Sequence, residues 1–286
     1  MNLRTKGFLL IGTIMVLSLG LSGYFQLHFL ENSLRHSIYE GLEGVNQTQR
    51  EMISHFLQES RASAQTAALA ISSQAIRERD IGTIEIQLAA VARIIPLFDN
   101  GMFILDAQGT LLADYPAHPA VRGQNFAFRQ YYQATLAADR GIVGSPYIST
   151  RTRQPVLTFT APFRDESGEI LGMLCGSAQL TSPKALEGVR QTTIGQSGYI
   201  YLYDTSRLMI LHPQNDRILK RDVPPGANPL FDAALEGFQG VGETVNSRGV
   251  GMLAAFTRVP DTDWILVAQQ PVREALAPIA AARNRW

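Results

Sequence analysis

The stretch "GMFILDAQGTLLADYP" (101–116) contains the unit from which the fold is built. Two short apolar runs flank "DAQG", and Asp and Gly at such positions are typical of a tight turn. The stretch therefore predicts two antiparallel strands joined by a hairpin turn. A second stretch, "GYIYLYDTSRLMILHP" (198–213), aligns with the first without a gap, so that Leu105 corresponds to Leu202. An internal repeat of this kind predicts two related modules in tandem.

Each copy of the unit is followed by the same succession of elements. After the first copy, "FAFRQYYQATLAADRG" (126–141) predicts a short helix that ends at Gly141, and residues 155–180 predict two further strands. After the second copy, "NPLFDAALEGFQG" (228–240) takes the place of the helix, and residues 252–271 supply two strands. Strands with helices segregated to one side indicate an α+β fold class with two antiparallel-sheet modules.

The N-terminal part predicts a membrane anchor. Residues 7–30 contain no Asp, Glu, Lys or Arg, and a helix of that length can cross a hydrocarbon core of about 30 Å. Arg4 and Lys6 precede this run, so residues 1–6 are expected in the cytoplasm and the rest of the chain outside. The alternative is a cleaved signal peptide, because "GLSG" offers small residues to a peptidase. The run is longer than a usual signal-peptide core, which favours a retained transmembrane helix.

Residues 31–94 predict one or two long helices. The segment contains no proline, and its apolar residues recur at intervals of three or four. The stripe consists of Leu34, Ile38, Leu42, Val45, Met52 and Phe56, with Gln49 at the missing step. Its spacing is close to a heptad, which is typical of a dimeric coiled coil. The alternative is that the stripe packs on the globular part of its own chain.

These patterns divide the chain into consecutive segments. We expect a membrane-distal module at 95–190 and a membrane-proximal module at 191–271. Residues 272–286, "VREALAPIAAARNRW", have helical composition and predict a helix that leads to a second membrane segment beyond them.

The composition excludes several function classes. The formal net charge is zero, so the chain has no broad basic surface for a nucleic-acid partner. The one cysteine, Cys175, lies in an apolar run and is expected to be a small buried residue. The five histidines show no metal-ligand spacing, and no phosphate loop or nucleophile elbow occurs. We therefore expect no metal, no cofactor and no enzymatic activity.

The stretch "FRQYYQ" (128–133) is the candidate ligand-binding element. The guanidinium of Arg129 offers a planar fork of donors that suits a carboxylate. Tyr131 and Tyr132 offer flat faces and hydroxyl groups, and the loop "GSPYIS" (144–149) is expected to bring Tyr147 to the same face. The alternative is that Arg129 forms a surface ion pair while the tyrosines pack on the sheet.

The whole arrangement resembles the double Cache sensor domains of bacterial transmembrane receptors. A membrane segment, a long helix and two sheet modules follow one another, and "FAFRQYYQ", "GSPYIST", "IGQSGYIYLYD" and "DTDWILVAQQP" resemble local strings of that family. The resemblance runs from about residue 8 to the end. It implies two PAS-like modules in the periplasm, a single span of the inner membrane, and a homodimer. The output of such receptors is a histidine kinase, a diguanylate cyclase or a chemotaxis signalling rod.

The resemblance also implies which residues touch the ligand. In the members that bind amino acids, an Arg-x-aromatic-Tyr element holds the ligand carboxylate, and Arg129, Tyr131 and Tyr132 match it. Those members hold the α-ammonium with acidic residues, but the matching positions here are Ser149 and either Ser177 or Gln179. The loss of a charge-assisted hydrogen bond costs about 1.5–3 kcal/mol. We therefore expect a small organic carboxylate rather than an α-amino acid. The complete candidate set is Arg129, Tyr131, Tyr132, Tyr147, Ser149, Phe103, Phe128, Ser177 and Gln179.

The function expected from this sequence is that of an extracytoplasmic sensor whose ligand shifts the helices at the membrane. The helix at 228–240 has no basic residue, so we expect the proximal module to act as a structural spacer. The alternative function is a membrane-anchored binding protein without a signalling output. An anchored enzyme is disfavoured because no nucleophile and base occur together.

Overall fold

The computed structural model describes the backbone of residues 3–283 and the side chains of residues 11–283. The N-terminal part contains three helices: α1 (Leu3–Leu69), α2 (Ser73–Glu78) and α3 (Ile81–Ile94). One or two helices were predicted for residues 31–94, but the segment contains three, because polar residues before α2 and α3 cap the start of a new helix. Ser72 Oγ accepts a hydrogen bond from the first turn of α2, and Asp80 Oδ1 does the same for α3.

Helix α1 runs without a break from the apolar N-terminal stretch into the globular part. It is long and apolar enough to cross a membrane, and its apolar window is not buried against the rest of the protein. Further along, α1 packs on strands of both sheets of the globular part. The stripe predicted from sequence thus lies on the chain's own sheets: Leu42, Gln49 and Phe56 are buried, and the neighbouring Ile53, which was not predicted, is buried with them. Met52 lies outside this contact and is 46% exposed.

The first sheet has five antiparallel strands in the order β2-β1-β5-β4-β3. These are β1 (Gly101–Asp106), β2 (Leu111–Tyr115), β3 (Tyr147–Ile148), β4 (Pro155–Arg164) and β5 (Ile170–Gln179). Helix α4 (Gln130–Ala138) lies between β2 and β3 in sequence. It ends before the predicted Gly141, because Asp139 adopts a left-handed conformation with φ 50°.

The second sheet repeats this order, as β6-β7-β11-β10-β9, with β8 paired to β7. Its strands are β6 (Thr193–Ile194), β7 (Gly198–Asp204), β8 (Met209–Leu211), β9 (Gly240–Val245), β10 (Gly251–Arg258) and β11 (Trp264–Pro271). Helix α5 (Glu187–Arg190) links the sheets, and α6 (Pro229–Leu235) corresponds to α4. The chain continues in α7 (Val272–Ala275) and α8 (Ala277–Arg283), two short helices where one was predicted. The last three residues of the predicted C-terminal helix, 284–286, lie outside the described residues.

The two faces of each sheet have different partners. On β1, Ile104 faces the core that the sheets share with α1, whereas Leu105 faces the cluster beneath α4. Cys175 is fully buried in that second cluster, as the sequence predicts. Each sheet therefore buries one face against the long helix and keeps the other for a shorter helix and its loops.

The gapless alignment of the repeat is one residue out of register. Asp106 Oδ1 accepts hydrogen bonds from the turn after β1, and Asp204 Oδ1 does so after β7, so these two residues are equivalent. Leu105 therefore corresponds to Tyr203 and not to Leu202. In agreement, both hairpins have a bulge at the same place, after Ile104 and after Leu202. A shift of one residue exchanges the two faces of a strand. The corrected alignment therefore changes which side chains of the two modules are equivalent.

Candidate functional site

A small cavity lies on the free face of the first sheet. It has a volume of about 50 Å³ and is enclosed by β1 and β2, by the segment that leads into α4, and by the β3–β4 hairpin. Its lining residues are Asn100, Phe103, Leu111, Asp114, Val121, Phe126, Arg129, Tyr131, Tyr147, Ser149, Thr150 and Arg151. Five of the predicted residues thus meet at one place: Phe103, Arg129, Tyr131, Tyr147 and Ser149.

Arg129 is held at the entrance of α4. It is the residue that precedes the helix, with an extended backbone, and its side chain does not cap the helix. The guanidinium carbon lies 4.6 Å from the ring centroid of Tyr147 and 5.0 Å from that of Phe128. Across the described part of the chain, the buried Nε atom has no hydrogen-bond partner. The guanidinium is therefore oriented by aromatic rings rather than by a carboxylate. Among the described residues Arg129 forms no ion pair, so the surface ion pair that was the alternative prediction is not observed.

Aromatic rings form one wall of the cavity. The centroids of Tyr131 and Tyr147 are 5.5 Å apart, and Phe103 meets Tyr131 edge to face at 6.0 Å. The hydroxyl groups of Tyr147 and Thr158 are hydrogen bonded at 3.0 Å, which fixes the ring beneath Arg129. Burial raises the pKa of both Tyr131 and Tyr147. Both hydroxyls therefore stay protonated and neutral at physiological pH.

The β3–β4 hairpin closes the opposite side. Ser149 is buried, and its Oγ accepts from the backbone N–H groups of Arg151 and Thr152 at 3.2 and 3.3 Å. This turn directs Arg151 into the lining of the cavity. Gly101 lies beside this arginine, and its backbone requires glycine, because its φ is 104° and a Cβ atom would lie 2.5 Å from the Tyr115 carbonyl oxygen. Arg151 is half-buried here, although its place in "STRTRQP" (149–155) favours an exposed hairpin residue over a ligand.

Four of the predicted residues lie outside the cavity lining. The hydroxyl of Tyr132 donates to the Ala107 carbonyl at 2.6 Å, which ties α4 to the β1–β2 turn. Phe128 is 65% exposed, over the outer face of Arg129. Ser177 Oγ accepts from Asn100 Nδ2 at 3.1 Å, one layer behind the lining. Gln179 donates its backbone N–H to an Asp99 carboxylate oxygen at 2.8 Å.

Asp114 is the lining residue that sequence reasoning missed. It is 7% exposed, and one carboxylate oxygen accepts from the backbone N–H of His118 at 2.8 Å. The other oxygen, Oδ1, has no hydrogen-bond partner among residues 11–283. Simple alternation from Leu111 would direct Asp114 away from the cavity, but the bulge in this hairpin reverses the phase and pairs it with Phe103.

Comparison with known proteins agrees with this architecture. The family described as Cache domain matches residues 30–279. One similar structure is the ligand-binding domain of the Pseudomonas aeruginosa PAO1 chemoreceptor PctC in complex with GABA, which is 24% identical with a TM-score of 0.61, covering 79% of this chain and 96% of that one. The PctB domain of the same organism, in complex with L-Arg, is 19% identical with a TM-score of 0.62, covering 86% and 98%.

The Campylobacter jejuni chemoreceptor Tlp3, in complex with 4-methylisoleucine, is 14% identical with a TM-score of 0.66, covering 85% of this chain and 94% of that one. At these identities the solved structures establish the fold. The family match extends over most of the sequence, as the resemblance of the local strings predicted. The chain belongs to the Cache domain family.

Proposed function

We propose that this chain is the extracytoplasmic input domain of a bacterial transmembrane receptor, and that the distal cavity binds a small organic carboxylate through Arg129. The observation that carries the proposal is the guanidinium itself. It lines a partly open cavity, its flat face is covered by Tyr147 at 4.6 Å, and its Nε has no partner among the described residues. A carboxylate is the group that matches the free edge of such a fork.

The charges around the cavity support an anionic ligand. Arg129 and Arg151 bring two positive charges, and Asp114 brings one negative charge. A ligand with a single carboxylate leaves this group of charges neutral, which matters because interactions between charges are stronger away from water. The volume of about 50 Å³ also favours a molecule of a few heavy atoms.

An amino acid is the second candidate, and Asp114 is the observation that favours it. Its free Oδ1 is a buried acceptor that an ammonium or a hydroxyl could satisfy. The similar PctC and PctB domains were solved with GABA and L-Arg, which carry both a carboxylate and an amine. We favour the simple carboxylate because Ser149, Ser177 and Gln179 are uncharged and a zwitterion would leave the second arginine without a counter-charge.

Helix α1 is the element through which binding would reach the membrane. Asn46 Nδ2 on α1 donates to the Ala255 carbonyl of the second sheet at 2.7 Å, and Phe56 meets Phe159 of the first sheet edge to face at 5.9 Å. The same helix contains the stretch that is long and apolar enough to cross a membrane. We expect a homodimer anchored in the inner membrane, with both modules in the periplasm, in which a ligand biases α1 between two positions.

A paired screen tests the ligand class. The full chain in detergent micelles would be heated with acetate, propionate, lactate and succinate, and with acetamide and propionamide as uncharged counterparts. GABA and L-alanine would be included as amino acids. A ligand at 100 times its dissociation constant stabilises a protein by about 2.7 kcal/mol, which is a shift of a few degrees in Tm. We expect shifts with an acid and none with its amide. Equal shifts with both, or shifts with the amino acids alone, contradict the proposed ligand.

A further inference from the structure

The second module also encloses a cavity, and it is the larger of the two. It has a volume of about 270 Å³ and lies between the free face of the second sheet and the segment that leads into α6. Tyr199, Tyr201 and Gln269 line it from the sheet, and His212 and Arg217 line it from the β8–α6 connection. This module was expected to act as a structural spacer because α6 contains no basic residue. A cation is present nevertheless, because Arg217 comes from the connection.

The two cavities occupy equivalent places in the two modules. In the first sheet Ser177 pairs with Gly101, and in the second sheet Gln269 pairs with Tyr199 at the same step of the ladder. The corrected repeat alignment likewise makes His212 the counterpart of Asp114. Gln269 therefore has the position that Ser177 has behind the distal cavity, but its longer side chain reaches the lining.

The charges around the proximal cavity are already matched to one another. Arg217 Nε and Nη2 donate to the two carboxylate oxygens of Asp222 at 2.6 and 2.8 Å. Its Nη1 contacts His212 Nε2 at 3.1 Å and donates to Ser247 Oγ at 3.0 Å. The pair formed by Arg217 and Asp222 leaves no free charge to bind an anion, which distinguishes this site from the distal one.

The side chain of Gln269 has an unsatisfied hydrogen-bond acceptor. It is 1% exposed, and within residues 11–283 its Oε1 has no hydrogen-bond partner. A buried amide oxygen without a donor is unfavourable, and native proteins contain few of them. Its surroundings are aromatic: the ring centroids of Tyr199 and Tyr201 are 6.3 Å apart, and burial raises the pKa of Tyr201, so the ring stays neutral.

We propose that the proximal cavity is a second ligand site, for a small uncharged primary amide or nitrogen heterocycle that donates a hydrogen bond to Gln269 Oε1 and packs against Tyr201. The volume suits a single ring, since sites for larger drug-sized ligands have about 300–1,000 Å³. An amide and an N–H-bearing ring both offer the donor that Gln269 lacks. This proposal does not depend on which molecule binds at Arg129.

The test compares molecules that share a ring and differ in charge. Nicotinamide, benzamide and uracil would be titrated into the full chain in detergent micelles by isothermal calorimetry, with nicotinate and benzoate as the anionic counterparts. Gln269→Leu removes the amide and keeps a similar volume. Gln270→Leu is the matched control, because Gln270 is the next residue of β11 and its side chain donates to Glu274 at 3.0 Å, outside the lining.

We expect at least one of the neutral probes to bind, with Gln269→Leu weakening it at least tenfold and Gln270→Leu leaving it unchanged. Gln269→Leu should fold with an unaltered or higher Tm, since it removes an unsatisfied polar atom. Ala227→Trp is a second variant at an exposed lining position, and it should block the same probe without touching the core. Failure of all neutral probes at 10 mM, or binding that survives both Gln269→Leu and Ala227→Trp, would overturn the proposal.

Discussion

The guanidinium of Arg129 lies over the ring of Tyr147, with 4.6 Å between the guanidinium carbon and the ring centroid. The contact covers one flat face of the cation, and Arg129 belongs to the lining of the distal cavity. Tyr147 is in turn held by its hydroxyl contact with Thr158, at 3.0 Å. The guanidinium therefore rests on an aromatic platform, the ring of Tyr147, and the proposed carboxylate would not have to displace an acidic partner.

The platform can be tested by changing the ring. Tyr147→Leu should weaken carboxylate binding about 2- to 30-fold, because a cation–π contact contributes about 0.5–2 kcal/mol. Tyr147→Phe should stay near wild type, since it keeps the ring and loses only the contact with Thr158. Titration calorimetry of both variants measures this difference. Equal losses in the two variants would mean that the hydroxyl, and not the ring face, is what the ligand requires.

Asp114 separates the two ligand classes. For a carboxylate without a donor group, such as propionate, Asp114→Asn should raise affinity several-fold, because it removes a negative charge from the same cavity. For GABA the same change should lower affinity about 10-fold or more, because the ammonium loses a charge-assisted partner. The two dissociation constants, measured on one variant, give opposite signs. A loss for propionate as well would assign Asp114 a role in shaping the cavity.

Tyr132 is expected to contribute to stability and not to binding. Its hydroxyl donates to the Ala107 carbonyl at 2.6 Å, and the residue does not line the cavity. Tyr132→Phe should lower the free energy of unfolding by about 0.5–1.5 kcal/mol and leave the carboxylate dissociation constant unchanged. Urea unfolding and calorimetry on the same sample separate these effects. A weakened affinity at unchanged stability would return Tyr132 to the ligand-binding set.

His212 should make the stability of the proximal module depend on pH. Burial, and then the charge of Arg217, lower the pKa of His212 to about 4. In the unfolded chain the imidazole binds a proton near pH 6.5, so the unfolded state holds more protons between about pH 6.5 and 4. The free energy of unfolding should therefore fall as the pH drops through that window, by up to about 3 kcal/mol.

The comparison for this prediction is His212→Gln, which cannot titrate. Asp222 and Arg217 face the imidazole and remain present in the variant, so their own contributions to the pH dependence largely cancel. Urea unfolding between pH 4 and 7.5 should give a shallower slope for the variant than for wild type. Parallel curves for the two proteins would show that His212 is protonated as readily in the folded state as in the unfolded chain.

The sequence predicted the fold well where local patterns decide it. The strand–turn–strand unit around "DAQG", the two strands predicted at 155–180, the short helix after Arg129 and the long apolar start of α1 are all present. The family was recognisable from the same strings. Sequence also singled out Arg129 and Tyr131 at the start of one helix and Tyr147 in one loop, and these three residues line the same cavity.

The errors arose where one residue changes the facing of a strand. The bulge opposite Ile104 brings Asp114 into the cavity. The pairing of Leu105 with Leu202 was a separate error of one residue in the repeat offset, because matching the glycines and leucines suggested a spacing of 97 residues, whereas the equivalent turn residues Asp106 and Asp204 are 98 apart. The position of a bulge cannot be read from the sequence of so short a strand, because the alternation of side chains continues beyond it with the two faces exchanged. Arg151 and Arg217 were missed for another reason: each reaches its cavity from a connection whose path depends on distant contacts.

The role of Arg129 in carboxylate binding is tested by calorimetric titration of the strongest carboxylate from the screen into three proteins: wild type, Arg129→Gln and Arg153→Gln. Arg153 belongs to the same hairpin as Ser149 but is exposed and outside the cavity lining, so it controls for a general loss of positive charge. Arg129→Gln should weaken binding about 10- to 150-fold, as expected when a charge-assisted hydrogen bond is lost. Arg153→Gln should bind as wild type does. Unchanged affinity in Arg129→Gln, or an equal loss in both variants, would contradict the assignment of the distal cavity as a carboxylate site.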